Sequence, residues 1–120
     1  MKKIDEIDKN FKIETGLNEK NIRFYNVKEK PFDLYGFYNS ETGRQFTRMP
    51  PEIAKNISEG VYTLCHRTAG GRVRFGTNSP YIAISVQLPS ICPMPHMPLS
   101  GSAGFDLYTF SDNVYRYEHS

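Results

Sequence analysis

Eight prolines and nine glycines interrupt this 120-residue chain so often that long helices have little room to form. An interior proline removes a backbone donor and clashes with the preceding turn, while an interior glycine weakens a helix through chain entropy. Between the interruptions the dominant pattern is the two-residue period of a strand. In "PYIAISVQL", Ile82, Ile84, Val86 and Leu88 fall on one face and Tyr81, Ala83, Ser85 and Gln87 on the other, which predicts a half-buried strand. "VYTLCHR" and "RVRF" flank "TAGG", where Gly70 and Gly71 can supply the positive φ of a tight hairpin, with Val73 and Phe75 inward and Arg72 and Arg74 outward. "LYGFYN" and "RQFTRM" flank "SETG" in the same way, with Gly43 at the turn's end. Apolar runs at Ile22 to Val27 and Val114 to Glu118 complete the strand candidates.

Helical signals are few. Ile4, Ile7 and Phe11 have helical spacing, and "PPEIAKNISEG" opens with proline at a first turn and closes at Gly60. Many short strands between turn signals, with little helix, predict an all-β fold: a jelly-roll-like antiparallel β-sandwich carrying one or two short helical turns. The length fits one domain over residues 1–120, and a domain of this size buries roughly two thirds of the surface its unfolded chain exposes.

Charge is nearly balanced, 15 Lys plus Arg against 13 Asp plus Glu for a net +2, so no basic stripe points to nucleic acid or an anionic membrane. The nearest approach to a basic cluster is Arg67, Arg72 and Arg74, read as a solvated strand face. "MKKIDEIDKN" has lysines but no following apolar run of roughly 7 to 15 residues, so no secretory signal is read there and a cytoplasmic location is expected. Two cysteines, Cys65 and Cys92, are too few for a disulfide scaffold; they read as small buried hydrophobes, with their pairing left open.

The residues that carry chemistry do not assemble in sequence. "SGSAG", Ser100 to Gly104, approaches a G-x-S-x-G nucleophile elbow but lacks the first glycine, and prolines 93, 95 and 98 stand where the preceding strand belongs. Cys65, His66, Cys92 and His96 are zinc-ligand types, but neighbours on a strand point to opposite faces and no Cys-x-x-Cys pair occurs, so no metal and no cofactor is expected. His96, set among Met94, Pro95, Met97 and Pro98, reads as a loop histidine or a ligand contact. Asp112 and His119 have no credible nucleophile beside them, and Glu14 with Glu19 reads as a solvated pair. Gly70 and Gly71 before Arg72 lack the Gly-Lys-Ser/Thr ending of a phosphate loop. Eight Tyr and eight Phe without Trp could form a sugar platform, though a small β-sandwich needs many of them inside.

One motif reaches further. "GFDLY", Gly104 to Tyr108, has the form G-x-D-L-Y, and "PFDLYGFY", "FTRMP" at Phe46 to Pro50, "TAGGRVRFGTNSPYIAI" at Thr68 to Ile84 and "HMPLSGSAGFDLY" at His96 to Tyr108 accompany it in order. Taken together, these strings resemble the N-terminal GxDLY-type domain of SGNH-hydrolase-type esterases, the GDSL-like lipases and esterases, over nearly the whole chain. The resemblance implies a jelly-roll-like module ahead of a separate SGNH catalytic domain. That domain would carry the serine in a Gly-Asp-Ser type block and an Asp-x-x-His pair, neither of which occurs here.

The chain ends in "VYRYEHS", a strand-like run, and is expected to be an N-terminal fragment of a longer esterase. The expected function is therefore that of a non-catalytic accessory domain. Its partner is the downstream catalytic domain and its indirect ligand an acylated carbohydrate, with no nucleic acid and no membrane. The alternative is a free-standing carbohydrate-binding module. Gly104, Asp106, Leu107 and Tyr108 are the motif residues. Gly104 permits a backbone conformation or a close approach that a Cβ would hinder and Asp106 can accept backbone N–H bonds, while Arg48, His96, Asp106 and Tyr108 are candidate ligand or interdomain contacts because loops concentrate binding groups.

Overall fold

The computed structural model describes residues 22–38, 45–88, 90–91 and 93–120. Expectations for Ile4, Ile7 and Phe11, for Glu14 and Glu19, for the "SETG" turn and for Cys92 lie outside these residues. The chain divides into two compact units, with the boundary between Ala83 and Ile84.

In the first unit, strand β1 (Asp33–Tyr35) pairs antiparallel with β2 (Arg72–Arg74), in the register Asp33 with Arg74, Leu34 with Val73 and Tyr35 with Arg72. Gly36 leaves β1 at φ +77, and a Cβ there would lie 2.9 Å from the Gly70 carbonyl oxygen, so both conformation and space call for glycine. Aromatic rings pack beside the pair: Phe32 meets Phe75 at 5.2 Å between centroids, Tyr25 meets Phe32 at 6.4 Å, and Phe37 meets Phe46 at 4.5 Å.

Helix α1 (Pro51–Ile57) starts with proline where a missing N–H is harmless, with Glu52 in its first turn and Lys55 in its last, as the helix dipole favours. Ser58 ends it and begins the next: its backbone N–H donates to the Ala54 carbonyl at 3.3 Å, while its Oγ accepts from the Val61 N–H at 3.2 Å. Helix α2 (Glu59–Cys65) follows. Ala54 and Cys65 are the buried apolar residues and Thr47 the buried polar one among those described.

The second unit holds helix α3 (Leu99–Ala103) and the antiparallel pair β3 (Leu107–Ser111) and β4 (Val114–His119). Asp112 and Asn113 make the β3–β4 turn at φ 53 and 60, left-handed conformations that their short polar side chains tolerate and that match the twist of a two-residue hairpin.

Antiparallel pairing is as expected, but the expected jelly-roll sandwich is not seen among the described residues. Among the described residues, the strand ladders form two two-stranded sheets and short helices stand beside them, so these residues mix helix and strand. "VYTLCHR" is helix rather than hairpin arm, because the Ser58 cap starts α2 and the four-residue spacing of Val61 and Cys65 suits a helical face. The "TAGG" turn does form, with Gly71 N–H on the Thr68 carbonyl at 2.9 Å and Gly70 at φ +85, but β2 takes β1 as its partner.

Gly60, expected to stop a helix, lies inside α2; Ser58 is the break. "PYIAISVQL" alternates yet joins no ladder along 81–88, and Ile82, Ile84 and Val86 are exposed. Alternation selects which side chains would be buried, whereas a strand also needs a neighbour for its backbone groups. Residues 22–27 likewise run without pairing, and Phe24 and Tyr25 stay exposed. The "LYGFYN" and "RQFTRM" segments meet at one bridge, Tyr38 with Thr47, where Tyr38 N–H donates to the Thr47 carbonyl at 2.7 Å. Among the described residues, no helix is long and apolar enough to cross a membrane.

Candidate functional site: the GxDLY segment and its hairpin

Pro98 cannot donate within a helix and serves as the cap residue of α3, whose five residues end at Gly104. The Gly104 N–H closes the helix on the Ser100 carbonyl at 3.0 Å. With φ −84 and ψ 176 the backbone of Gly104 is open to any residue, so conformation is not what demands glycine. Space is: a Cβ at Gly104 would run into the Ser100 carbonyl oxygen. The chain then extends through Phe105 and Asp106 into β3.

Asp106 is held across the hairpin. Its Oδ1 accepts from Ser120 Oγ at 2.6 Å, and Tyr117 OH lies 2.6 Å from the same Oγ. Ser120 has one hydroxyl proton and gives it to the carboxylate, so Tyr117 is the donor in the second bond. A hydroxyl, rather than a backbone N–H, is thus the partner the structure gives Asp106, and the bond ties the entry of β3 to the residue after β4.

The register places Tyr108 opposite Tyr117 and Phe110 opposite Tyr115, with a bulge between Leu107 and Tyr108. Side chains two apart on a strand share a face, as do directly opposed partners. Tyr108, Phe110, Tyr115 and Tyr117 therefore form one aromatic face. Tyr108 and Tyr117 meet edge to face at 5.7 Å, and Phe110 and Tyr115 at 4.6 Å. On the other face Thr109 Oγ1 donates to Glu118 Oε1 at 2.5 Å, Arg116 stands opposite Thr109, and Val114 stands opposite Ser111. Tyr108 and Tyr117 are 54% and 56% exposed, and Phe105 and Leu107 beside them are also exposed.

The other candidates are placed as follows. His96 sits at the tip of a turn closed by Met97 N–H on the Met94 carbonyl at 3.2 Å, and it is exposed. Arg48 belongs to the first unit, where its backbone N–H donates to the Cys65 carbonyl at 2.8 Å and its side chain is exposed. Asp106 and Tyr108 share the hairpin, and His96 lies in the turn that precedes α3.

No catalytic arrangement follows from these contacts. Ser102 Oγ donates to the Leu99 carbonyl at 3.3 Å inside α3, a helical environment rather than an elbow between strand and helix. Ser120, His119 and Asp106 are near one another, but their roles do not align. His119 Nδ1 accepts from the Ser120 backbone N–H at 3.0 Å, and Asp106 takes the serine proton directly, so the imidazole is neither base to the hydroxyl nor oriented by the acid.

Cys65 is a free, buried thiol whose Sγ donates to the Tyr62 carbonyl at 3.0 Å. The strand premise that set Cys65 and His66 on opposite faces is overturned: at the end of α2, Sγ lies 3.3 Å from His66 Nδ1. That nitrogen donates to the Tyr62 carbonyl at 2.9 Å, which leaves it unable to accept the thiol proton. Among the described residues, no three His, Cys, Asp or Glu side chains gather as a metal site.

The sequence Phe-Asp-Leu-Tyr occurs at 32–35 and again at 105–108, each leading into a strand, and only the second follows a glycine placed two residues before the aspartate. A family model described as "GxDLY: N-terminus of Esterase_SGNH_hydro-type" matches residues 22–119. The chain belongs to the GxDLY family. No curated protein and no solved structure matches it. In this GxDLY domain the named motif is the joint between α3 and the aromatic hairpin. Its glycine makes room at the joint and its aspartate fastens the hairpin's open end. Phe110, Tyr115, Tyr117 and Ser120 were not singled out from sequence. The signal was the alternation Tyr108-x-Phe110 and Tyr115-x-Tyr117 reflected about Asp112 and Asn113.

Proposed function

We propose that this GxDLY domain is the non-catalytic N-terminal module of an SGNH-type esterase, and that the aromatic face of its β3–β4 hairpin packs against the downstream catalytic domain and helps shape its ester site. The family match over residues 22–119 carries the reading. The exposure of Tyr108, Phe110, Tyr115 and Tyr117 on one face supports it. An apolar surface of this kind is a mark of an interface in soluble proteins. In the joined protein, the nucleophile, base and orienting acid belong to the SGNH domain, with acylated carbohydrate as the substrate class.

The test compares turnover of a simple acetyl ester by the catalytic region alone, by that region joined to this module, and by a joined protein carrying Tyr108→Ala and Tyr117→Ala. The isolated module is expected to be inactive, and the double variant to lose about tenfold of the joined activity, equivalent to about 1.4 kcal/mol of interface energy. Ester hydrolysis by the isolated module, abolished by a single serine replacement, would overturn the proposal.

The aromatic face also favours a second reading, a carbohydrate-binding module, since tyrosine rings stack on sugars and offer hydroxyls. Calorimetric titration of the module with acetylated and plain oligosaccharides decides between them. Saturable binding by the module alone supports the second reading, and heat absent with both supports the first.

A further inference from the structure

The motif aspartate takes part in a contact whose place along the chain matters more than its strength. From Ser111 to Tyr108 each step along β3 is matched by one along β4, yet Tyr108 faces Tyr117 and Leu107 faces His119, so Glu118 is the extra residue of the bulge. The bulge advances β4 by one residue and sets Ser120 level with Asp106; in an unbroken ladder His119 would stand there. Ser120 is then held from three sides. Its hydroxyl donates to Asp106 Oδ1 at 2.6 Å, its Oγ accepts from Tyr117 OH at 2.6 Å, and its backbone N–H donates to His119 Nδ1 at 3.0 Å. All four residues are exposed, where hydrogen bonds compete with water and add little to stability. What three bonds on one residue do fix is the direction of the backbone as it leaves β4.

We propose that Asp106 is a positioning residue: through Ser120 it sets the course of the chain toward the catalytic domain, and so the orientation in which the aromatic face meets that domain. This rests on the reading of the chain as the module that precedes an SGNH domain. Packing between two parts of one polypeptide is an intramolecular event whose effective concentration depends on the stiffness of the joining segment, and a segment already held loses less freedom when the surfaces meet. Tyr117 links the two halves of the device, its ring on the aromatic face against Tyr108 and its hydroxyl on Ser120. Asp106 touches no substrate on this account. It acts on the ester site only through which arrangement of the two domains is populated.

The experiment uses the joined protein, measured by small-angle X-ray scattering and by steady-state hydrolysis of a simple acetyl ester. The parent is expected to scatter as one compact body. Asp106→Ala and Ser120→Ala should each enlarge its radius of gyration and raise KM about fivefold with kcat held, because saturating substrate recovers the packed arrangement. The double variant should lose no more than either single one, since both delete the same bond. Ser120→Thr, which keeps the hydroxyl, should behave as the parent, and Tyr117→Phe, which keeps the ring, should reproduce part of the loss. The proposal is overturned if the parent is compact and both single variants scatter and turn over as it does, or if the double variant's loss is the sum of the two; in either case the module still packs and the reading of it stands. A parent that scatters as two loosely joined bodies overturns both.

Discussion

At the scale of single residues, two glycines and one serine fix local geometry. Gly36 combines a left-handed backbone with a close approach to Gly70, so Gly36→Ala should cost about 2 kcal/mol from the conformation and the overpacking together, read as a lowered urea midpoint. Gly104 is different in kind, needing room rather than a special φ. Gly104→Ala should cost about 1 to 3 kcal/mol in the same measurement, and Gly104→Asn should not rescue it, because a left-handed preference is irrelevant there. The motif itself is readable in sequence, but whether its glycine serves a special conformation or a close approach is not, since both call for a missing Cβ. The partner of Asp106 was not, because Ser120 reaches it only once the hairpin has closed.

At the scale of elements, the lesson lies in which signals compete. Ser58 closes one helix and opens another, and Ser58→Ala should remove about 1 kcal/mol, seen as a lower melting temperature by far-ultraviolet circular dichroism. Reading 61–67 as a strand failed because short apolar runs fit both periods, and a single capping serine decided between them. The segment 81–88 failed for the opposite reason: its alternation is regular, but among the described residues it joins no ladder, and backbone pairing is invisible in a one-dimensional pattern. By contrast, 114–118 was read as a strand and is one, since its partner lies a two-residue turn away. That turn is testable. Asp112→Val places a β-branched residue in the left-handed region and should cost about 1 to 2 kcal/mol, measured by chemical denaturation, with Asn113→Gly expected to leave stability equal or higher.

At the scale of the whole molecule, the described residues form two compact units with few buried side chains and several exposed aromatics. On the reading proposed above, these rings are the surface that a neighbouring domain covers. The family assignment was legible from several short strings in a fixed order. Among the described residues the layered sandwich expected with it is not seen, since layering depends on long-range pairing that neither composition nor spacing encodes. A ribbon of only two strands holds itself together weakly in water, so what lies against its rings governs how often its amides open to solvent. Deuterium uptake along Leu107 to His119 thus becomes a gauge of occupancy: fast when the rings face water, slowed once a neighbouring surface settles on them, whatever chemistry that neighbour performs.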